Sequence, residues 1–202
     1  MTSVLTNLRN TAVAGFVLAL ILFLMYQGHG GYEATAFAKF FFRWLHVLSG
    51  VMWVGLLYYF NFVQIPNMPN IPDDQKPAIG KVIAPAALFW FRHGAMATIV
   101  TGLILAALNG YIVEAVSLGL VEGSDIGHRM IGIGMWLGAI MWFNVWFVIW
   151  PNQQKALGLV EADDDAKAAS ARTAMLFSRT NTLLSIPMLF AMIAAQNLYN
   201  IS

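Results

Sequence analysis

The stretch FRWLHVLSGVMWVG places His46 in an otherwise apolar run. On a helix, positions three, four and seven residues away share one face, so Phe42, Arg43, Ser49, Gly50 and Trp53 lie beside it, with Asn61 and Gln64 further along. Such a face suits a planar macrocycle: a neutral imidazole ligates haem iron, a glycine lets the ring approach the backbone, and a nearby arginine pairs with a propionate. The competing use of the same residues is packing, with the histidine hydrogen-bonded between helices and the glycines allowing close contact. A second stretch, FWFRHGAMATIVTG, repeats the pattern: His93 is followed by Gly94, Ala95 and Ala97. Arg92, buried in the same apolar run, calls for an anionic partner, a carbonyl, or a route for its head group to the surface. His128, at the head of GHRMIGIGMWLGAIMWFNVWFVIWPNQQ, is a third candidate ligand. The site expected from these residues is a b-type haem with His46 as leading ligand and His93 or His128 as the other, and with Arg43, Arg92, Gly50 and Trp53 lining it.

Other residue types narrow the chemistry. There is no cysteine, which excludes disulfides, thiolate metal sites, iron–sulfur clusters and haem attached through Cys-x-x-Cys-His. The 11 methionines are scattered rather than paired, as core filler is, and argue against a copper site. Gly134 and Gly138 form a small-xxx-small pattern that serves helix packing. Trp150 reads as an interfacial anchor, while Trp136, Trp142 and Trp146 either pack or line a cofactor. Asn144, the Pro151-Asn152-Gln153 group, Arg179 and Asn181 form a polar set at one end of the last two apolar segments.

The elements that must position these residues are transmembrane helices. Hydrophobic residues make up 59% of the 202 and charged residues only 10%, against about 25% in ordinary soluble domains. Five apolar segments, at about 11–27, 37–64, 82–113, 127–151 and 173–199, are each long enough to cross a core of about 30 Å. The expected fold is therefore all-α, a single integral membrane domain over 1–202, with the first segment retained as a span rather than removed as a signal. The second and third segments exceed about 20 residues and must tilt or run past the membrane surface. Between them PNMPNIPDDQKPAIG reads as a loop, and 155–172, with its acidic run 161–165, as a short surface helix or mobile linker.

Lys and Arg distribute unevenly about these spans. Arg9, Lys76, Lys81, Lys155, Lys167, Arg172 and Arg179 fall on the N-terminal side, against Lys39, Arg43 and Arg129 on the other, which predicts a cytoplasmic N-terminus and an external C-terminus. His29 and His128 then sit near the outer surface. His46 falls in the outer half of its span and His93 in the inner half of its own, roughly 10 Å apart in depth at 1.5 Å per residue, which suits a pair of axial ligands poorly unless the helices are staggered. A net charge of +1 with no basic run gives no reason to expect nucleic-acid binding.

Three stretches, FRWLHVLSGVMWVGLLYYFNFVQIP, MWFNVWFVIWPNQQKAL and SRTNTLLSIPMLFAMIA, together resemble the membrane domain of the bacterial integral-membrane urate oxidase family, with a looser likeness across FWFRHGAMATIVTG. The His46 segment is also similar, more distantly, to His-containing membrane proteins of haem synthesis and copper resistance. The urate oxidase resemblance implies residence in the bacterial inner membrane and oxidation of a small substrate. Family members are often fused to a cytochrome c, which this cysteine-free chain lacks, so electrons would pass to a separate cytochrome c or respiratory complex. The alternative is a non-catalytic subunit or oligomer-forming module packed within a larger membrane oxidase. A small transporter is disfavoured, because no charged pair falls at mid-membrane and no inverted repeat appears.

Overall fold

The computed structural model describes the backbone of residues 2–30 and 33–201 and the side chains of 4–28 and 33–201; His29 lies outside the described side chains. Among the described residues every regular element is helical. After a short turn, Thr2–Leu5, come α1 (Leu8–Gly30), α2 (Ala34–Asn70), α3 (Lys76–Asn109), α4 (Ile112–Val116), α5 (Ile126–Ala156) and α6 (Asp164–Asn197). Five of these are long and apolar enough to span a membrane, as the five apolar segments predict. The chain divides into two compact units, residues 1–38 and 39–202.

In the first unit, Phe23 of α1 meets Phe37 at the start of α2, with ring centroids 4.5 Å apart. Val13, Phe16, Val17, Leu18, Ile21 and Leu22 of α1 are all exposed, and a helix apolar around its whole circumference has hydrocarbon as its natural solvent.

In the second unit the helices run further than hydropathy alone suggests. α2 and α3 are 37 and 34 residues long, and most of the proline-rich stretch between them is helical. Pro77 occupies the first turn of α3, where a missing N–H breaks no hydrogen bond, whereas Pro66 and Pro69 fall in the last turns of α2, directly after residues 59–64, so the true loop is 71–75. Likewise the acidic linker is largely absorbed into α6: Asp163 caps that helix by accepting from the Ala166 N–H at 2.7 Å, with Asp164 and Asp165 in the first turn. The third span ends earlier than 113. Gly110 adopts φ +84°, and its N–H closes α3 onto the carbonyls of Ala106 and Ala107.

The core has two centres. One gathers Trp53, Leu57, Phe60, Leu88, Phe91, Met141, Val145 and Ile149, from α2, α3 and α5. The other, towards the opposite end, joins Ala106, Tyr111, Ala115, Ile131 and Ala195. α6 contributes a buried polar column, Ser170, Ser178, Asn181 and Ser185, whose hydroxyls and amide need partners inside the protein. Asn181, with no exposed surface, accepts from Asn144 Nδ2 at 2.8 Å and donates to the Met141 carbonyl at 3.0 Å, tying α6 to α5. Three helices also contain π-helical turns, Tyr59–Gln64 in α2, Ile79–Ile83 in α3 and Asn144–Ile149 in α5.

α4 is held against α5 by a glycine. A Cβ at Gly132 would overlap the carbonyl of Ala115, and one turn further along Trp136 Nε1 donates to the Val116 carbonyl at 3.0 Å. The overlap is with backbone, which no rotamer change relieves. Gly132→Ala is therefore expected to destabilise the protein by about 1–3 kcal/mol, read as a lower apparent melting temperature in detergent, whereas Gly138→Ala, with nothing within 4 Å of its would-be Cβ, should leave it nearly unchanged.

Candidate functional site

His46 lies where α2 crosses α3, and small residues on α3 make the crossing possible. Two turns further along α2, the backbone nitrogen of Trp53 would stand 3.3 Å from a Cβ on Gly94, so these backbones are in near contact. At Gly102 a Cβ would fall 2.9 Å from His46 Cε1 and 3.0 Å from Nδ1; the glycine makes room for the imidazole itself. Between the two glycines Thr98 and Thr101 turn their hydroxyls back onto their own helix, donating to the Gly94 carbonyl at 2.7 Å and the Ala97 carbonyl at 2.6 Å. Polar side chains are thereby satisfied without claiming space in the seam.

His46 Nδ1 lies 2.9 Å from the Thr98 carbonyl oxygen, with Thr101 Oγ1 at 3.4 Å. A carbonyl can only accept, so Nδ1 carries the proton. In the neutral ring Nε2 is then the lone-pair nitrogen, and it has no partner among the described residues. Donation of one ring N–H to a backbone carbonyl is how metal-ligating histidines are commonly oriented, leaving the other nitrogen to bind. One turn from His46, a Cβ on Gly50 would meet nothing within 4 Å, so open space adjoins the ring. Arg43, one turn in the other direction, has a buried Nε without a hydrogen-bond partner. Trp53, by contrast, is a core residue, 1% exposed among Leu57, Phe91 and Ala95.

The other histidines are placed elsewhere. His93 is exposed, its Nδ1 donates to the Phe89 carbonyl at 2.8 Å, and its ring lies against Phe89 and Trp146. Thr98, the partner of His46, is five residues along α3, about 7.5 Å in rise and about 140° around the helix, so the two imidazoles occupy different faces and depths. Arg92 stays with His93's end: its guanidinium carbon stacks 3.3 Å above the Trp150 ring, and Nε donates to the Leu88 carbonyl at 3.3 Å. A cation–π contact and a carbonyl thus meet the partner requirement of this arginine, and Trp150 serves it directly.

His128 belongs to a helix cap. Asp125 accepts from the His128 backbone N–H at 2.9 Å, and His128 Nδ1 lies 2.8 Å from the same carboxylate oxygen and 3.2 Å from the Asp125 nitrogen, a reciprocal arrangement closing the start of α5. Tyr111 faces this cap, 6.4 Å between ring centroids. Burial pushes its phenol above the usual range, while the Asn109 side chain and the Arg43 charge act in the opposite direction. Arg43 therefore lies within electrostatic reach of the outer cluster as well as one turn from His46.

A second polar cluster lies near the other end of the bundle. Asn61 Nδ2 donates to Ser178 Oγ at 2.7 Å and to the Leu57 carbonyl at 2.9 Å, and the Tyr58 and Ser185 hydroxyls meet at 2.9 Å. Asn61, Gln64, Asn144 and Asn181 stand out in the sequence as polar residues in apolar runs; Tyr58, Ser178 and Ser185 do not, because one hydroxyl in an apolar helix is unremarkable until its partner is known. Among the described residues no three of His, Asp or Glu gather as a metal site.

Residues 124–201, the α5–α6 part of the chain, match the sequence model of a family described as Urate oxidase N-terminal. No curated protein and no solved structure gives a match. The matched region holds His128, Asn144 and Asn181; it does not extend to α2 and α3, which hold His46 and His93.

The cap at α5 carries a pH dependence. The His128 N–H holds the Asp125 carboxyl below its ordinary value; burial opposes it, and the His128 side chain and the Gly127 N–H add to it. The stabilisation from this carboxylate is therefore fully present above the ordinary Asp range and is lost as pH falls through the lowered value. Asp125→Ala is expected to lower the apparent melting temperature at pH 7, and that deficit should shrink progressively as the pH is taken below about 4.

Proposed function

We propose that the chain is the membrane module of a urate oxidase-like redox system and that it holds a b-type haem through His46. The observation that carries this reading is the fixed orientation of that histidine, with Nδ1 on the Thr98 carbonyl, Gly102 cleared for the ring and Nε2 unpartnered in an apolar bundle. The match of α5 and α6 to the urate oxidase family supports the oxidase relation; haem and electron transfer are proposals resting on the His46 geometry.

The residues present would supply one histidine ligand. His46 Nε2 would ligate the iron, the open space at Gly50 would admit the ring edge, and the unpartnered Nε of Arg43 would take a propionate. A bis-histidine pair within one chain does not fit, since His93 faces another side of α3 and His128 is engaged in its cap. When bound, the haem supplies one-electron chemistry. The protein's part is to hold His46 in one tautomer, to keep water from the ligand through the apolar α2–α3 seam, and to neutralise a propionate with Arg43. Electrons from a small substrate would leave to a separate cytochrome c or respiratory complex. The Lys and Arg asymmetry supports a cytoplasmic N-terminus, and the resemblance to the urate oxidase family supports the bacterial inner membrane.

A second reading is a non-catalytic subunit of a larger membrane oxidase, favoured by the family match falling on α5 and α6 rather than on the His46 seam. A dithionite-reduced minus oxidised spectrum of the detergent-purified protein separates the two. The haem reading expects a b-type difference spectrum that is lost in His46→Ala and kept in His93→Ala and His128→Ala. A folded wild-type protein without that spectrum would overturn the haem reading, and a spectrum unchanged in His46→Ala would remove the ligand assignment.

A further inference from the structure

Away from His46, a cavity of about 40 Å³ opens where α2, α3, α5 and α6 meet, lined by Gln64 and Ile65 of α2 and Gln153 of α5, towards the ends of those helices that lead into residues 71–75 and 157–163. Its polar lining is Gln64, Gln153 and Ser178; its apolar lining includes Phe60, Phe91 and Ile149. Two π-helical turns shape it. Phe60 and Gln64 belong to Tyr59–Gln64, and Ile149 closes Asn144–Ile149. Such turns widen a helix locally, project side chains that an α-helix would place elsewhere, and recur at functional sites.

The polar groups here are not saturated by the protein. Gln64 Oε1 is buried without a partner, and so is Asn61 Oδ1, whose Nδ2 is bonded to the cavity-lining Ser178. The volume decides which ligand can meet them. At about 10–15 Å³ of such space per water, the cavity holds about three or four waters, and it is far short of the roughly 150 Å³ that accommodates a benzene ring. An alkyl chain would leave the amide oxygens unpaired, whereas water has the two to four polar partners it requires in Gln64, Gln153 and Ser178.

We infer that this cavity is a hydrated site, occupied by water that reaches Gln64 and Ser178 from the 71–75 and 157–163 end of the bundle and extends the Asn61–Ser178 pair towards that surface. It gives water a defined point of access to the interior of an otherwise apolar helix bundle. The assignment does not depend on haem.

The absence of native cysteine allows a direct test by single-cysteine accessibility. Ser178→Cys, nearly isosteric, places a thiol in the cavity although Ser178 is 6% exposed; Val63→Cys places one beside Gln64 on a surface 50% exposed but facing outward. Each is reconstituted in liposomes and treated with Ag⁺ as the probe, and the remaining thiol is read by maleimide labelling after denaturation. A hydrated cavity predicts that Ser178→Cys is blocked at least tenfold faster than Val63→Cys, and that adding Gln64→Leu slows this at least tenfold. Should Ser178→Cys elute as misfolded protein, Gln153→Cys carries the same comparison. Blocking of the cavity cysteine no faster than that of Val63→Cys, or a rate indifferent to Gln64→Leu, overturns the inference.

Discussion

Gly102 yields its side-chain space to the imidazole of His46, and the orientation of that ring follows from the space. At Gly94, further along the same crossing, a Cβ would stand 3.3 Å from the Trp53 nitrogen, so a side chain there would push on the α2 backbone, while one at Gly102 would displace the imidazole. The two threonines between them are bonded back to their own helix, which leaves the Thr98 carbonyl as the acceptor for His46 Nδ1. A helical carbonyl that already serves the backbone ladder can accept this second bond through its other lone pair. One histidine in hydrocarbon is thus satisfied on one nitrogen and left available on the other.

The remainder of the bundle uses the same economy of polar groups. Asn144 and Asn181 satisfy each other and a carbonyl, Tyr58 meets Ser185, and Asn61 meets Ser178. In a membrane interior an unmet polar group has no water to turn to, so these pairs specify which faces of α2, α5 and α6 can come together. Arg92 follows the rule with an aromatic face, Trp150, in place of an anion. The rule is broken at several buried atoms, among them Arg43 Nε and the indole nitrogens of Trp53, Trp142 and Trp146; beside two others, Gln64 Oε1 and Asn61 Oδ1, lies a cavity of water-sized volume.

The spans were legible in the sequence because hydropathy over some twenty residues is a one-dimensional property. Their ends are less so: prolines at 66 and 69 read as breakers but lie in the last turns of α2, Pro77 sits in the first turn of α3, where proline is tolerated, and the acids at 163–165 cap and open the long helix α6. The singling out of His46, Arg43 and Gly50 on one face followed from helical periodicity. The role of Gly102 could not, because its partner lies 56 positions away in sequence and only the register between α2 and α3 brings it under the imidazole. The same holds for Ser178 and Ser185, which acquire meaning only opposite Asn61 and Tyr58. His93 shows the reverse: its surroundings in sequence mirror those of His46, yet its own helix takes its Nδ1 proton, and the ring faces outward.

The availability of His46 as a ligand depends most directly on the protonation of its ring. Nitrogen-15 NMR of imidazole-labelled, haem-free protein in lipid, with the His46 resonances assigned by their disappearance in His46→Gln, reads it at neutral pH. The seam described here predicts a protonated, pyrrole-like shift at His46 Nδ1 and an unprotonated, pyridine-like shift at Nε2. The opposite tautomer, with the proton on Nε2, would contradict the Thr98 hydrogen bond and, with it, the availability of His46 as a ligand.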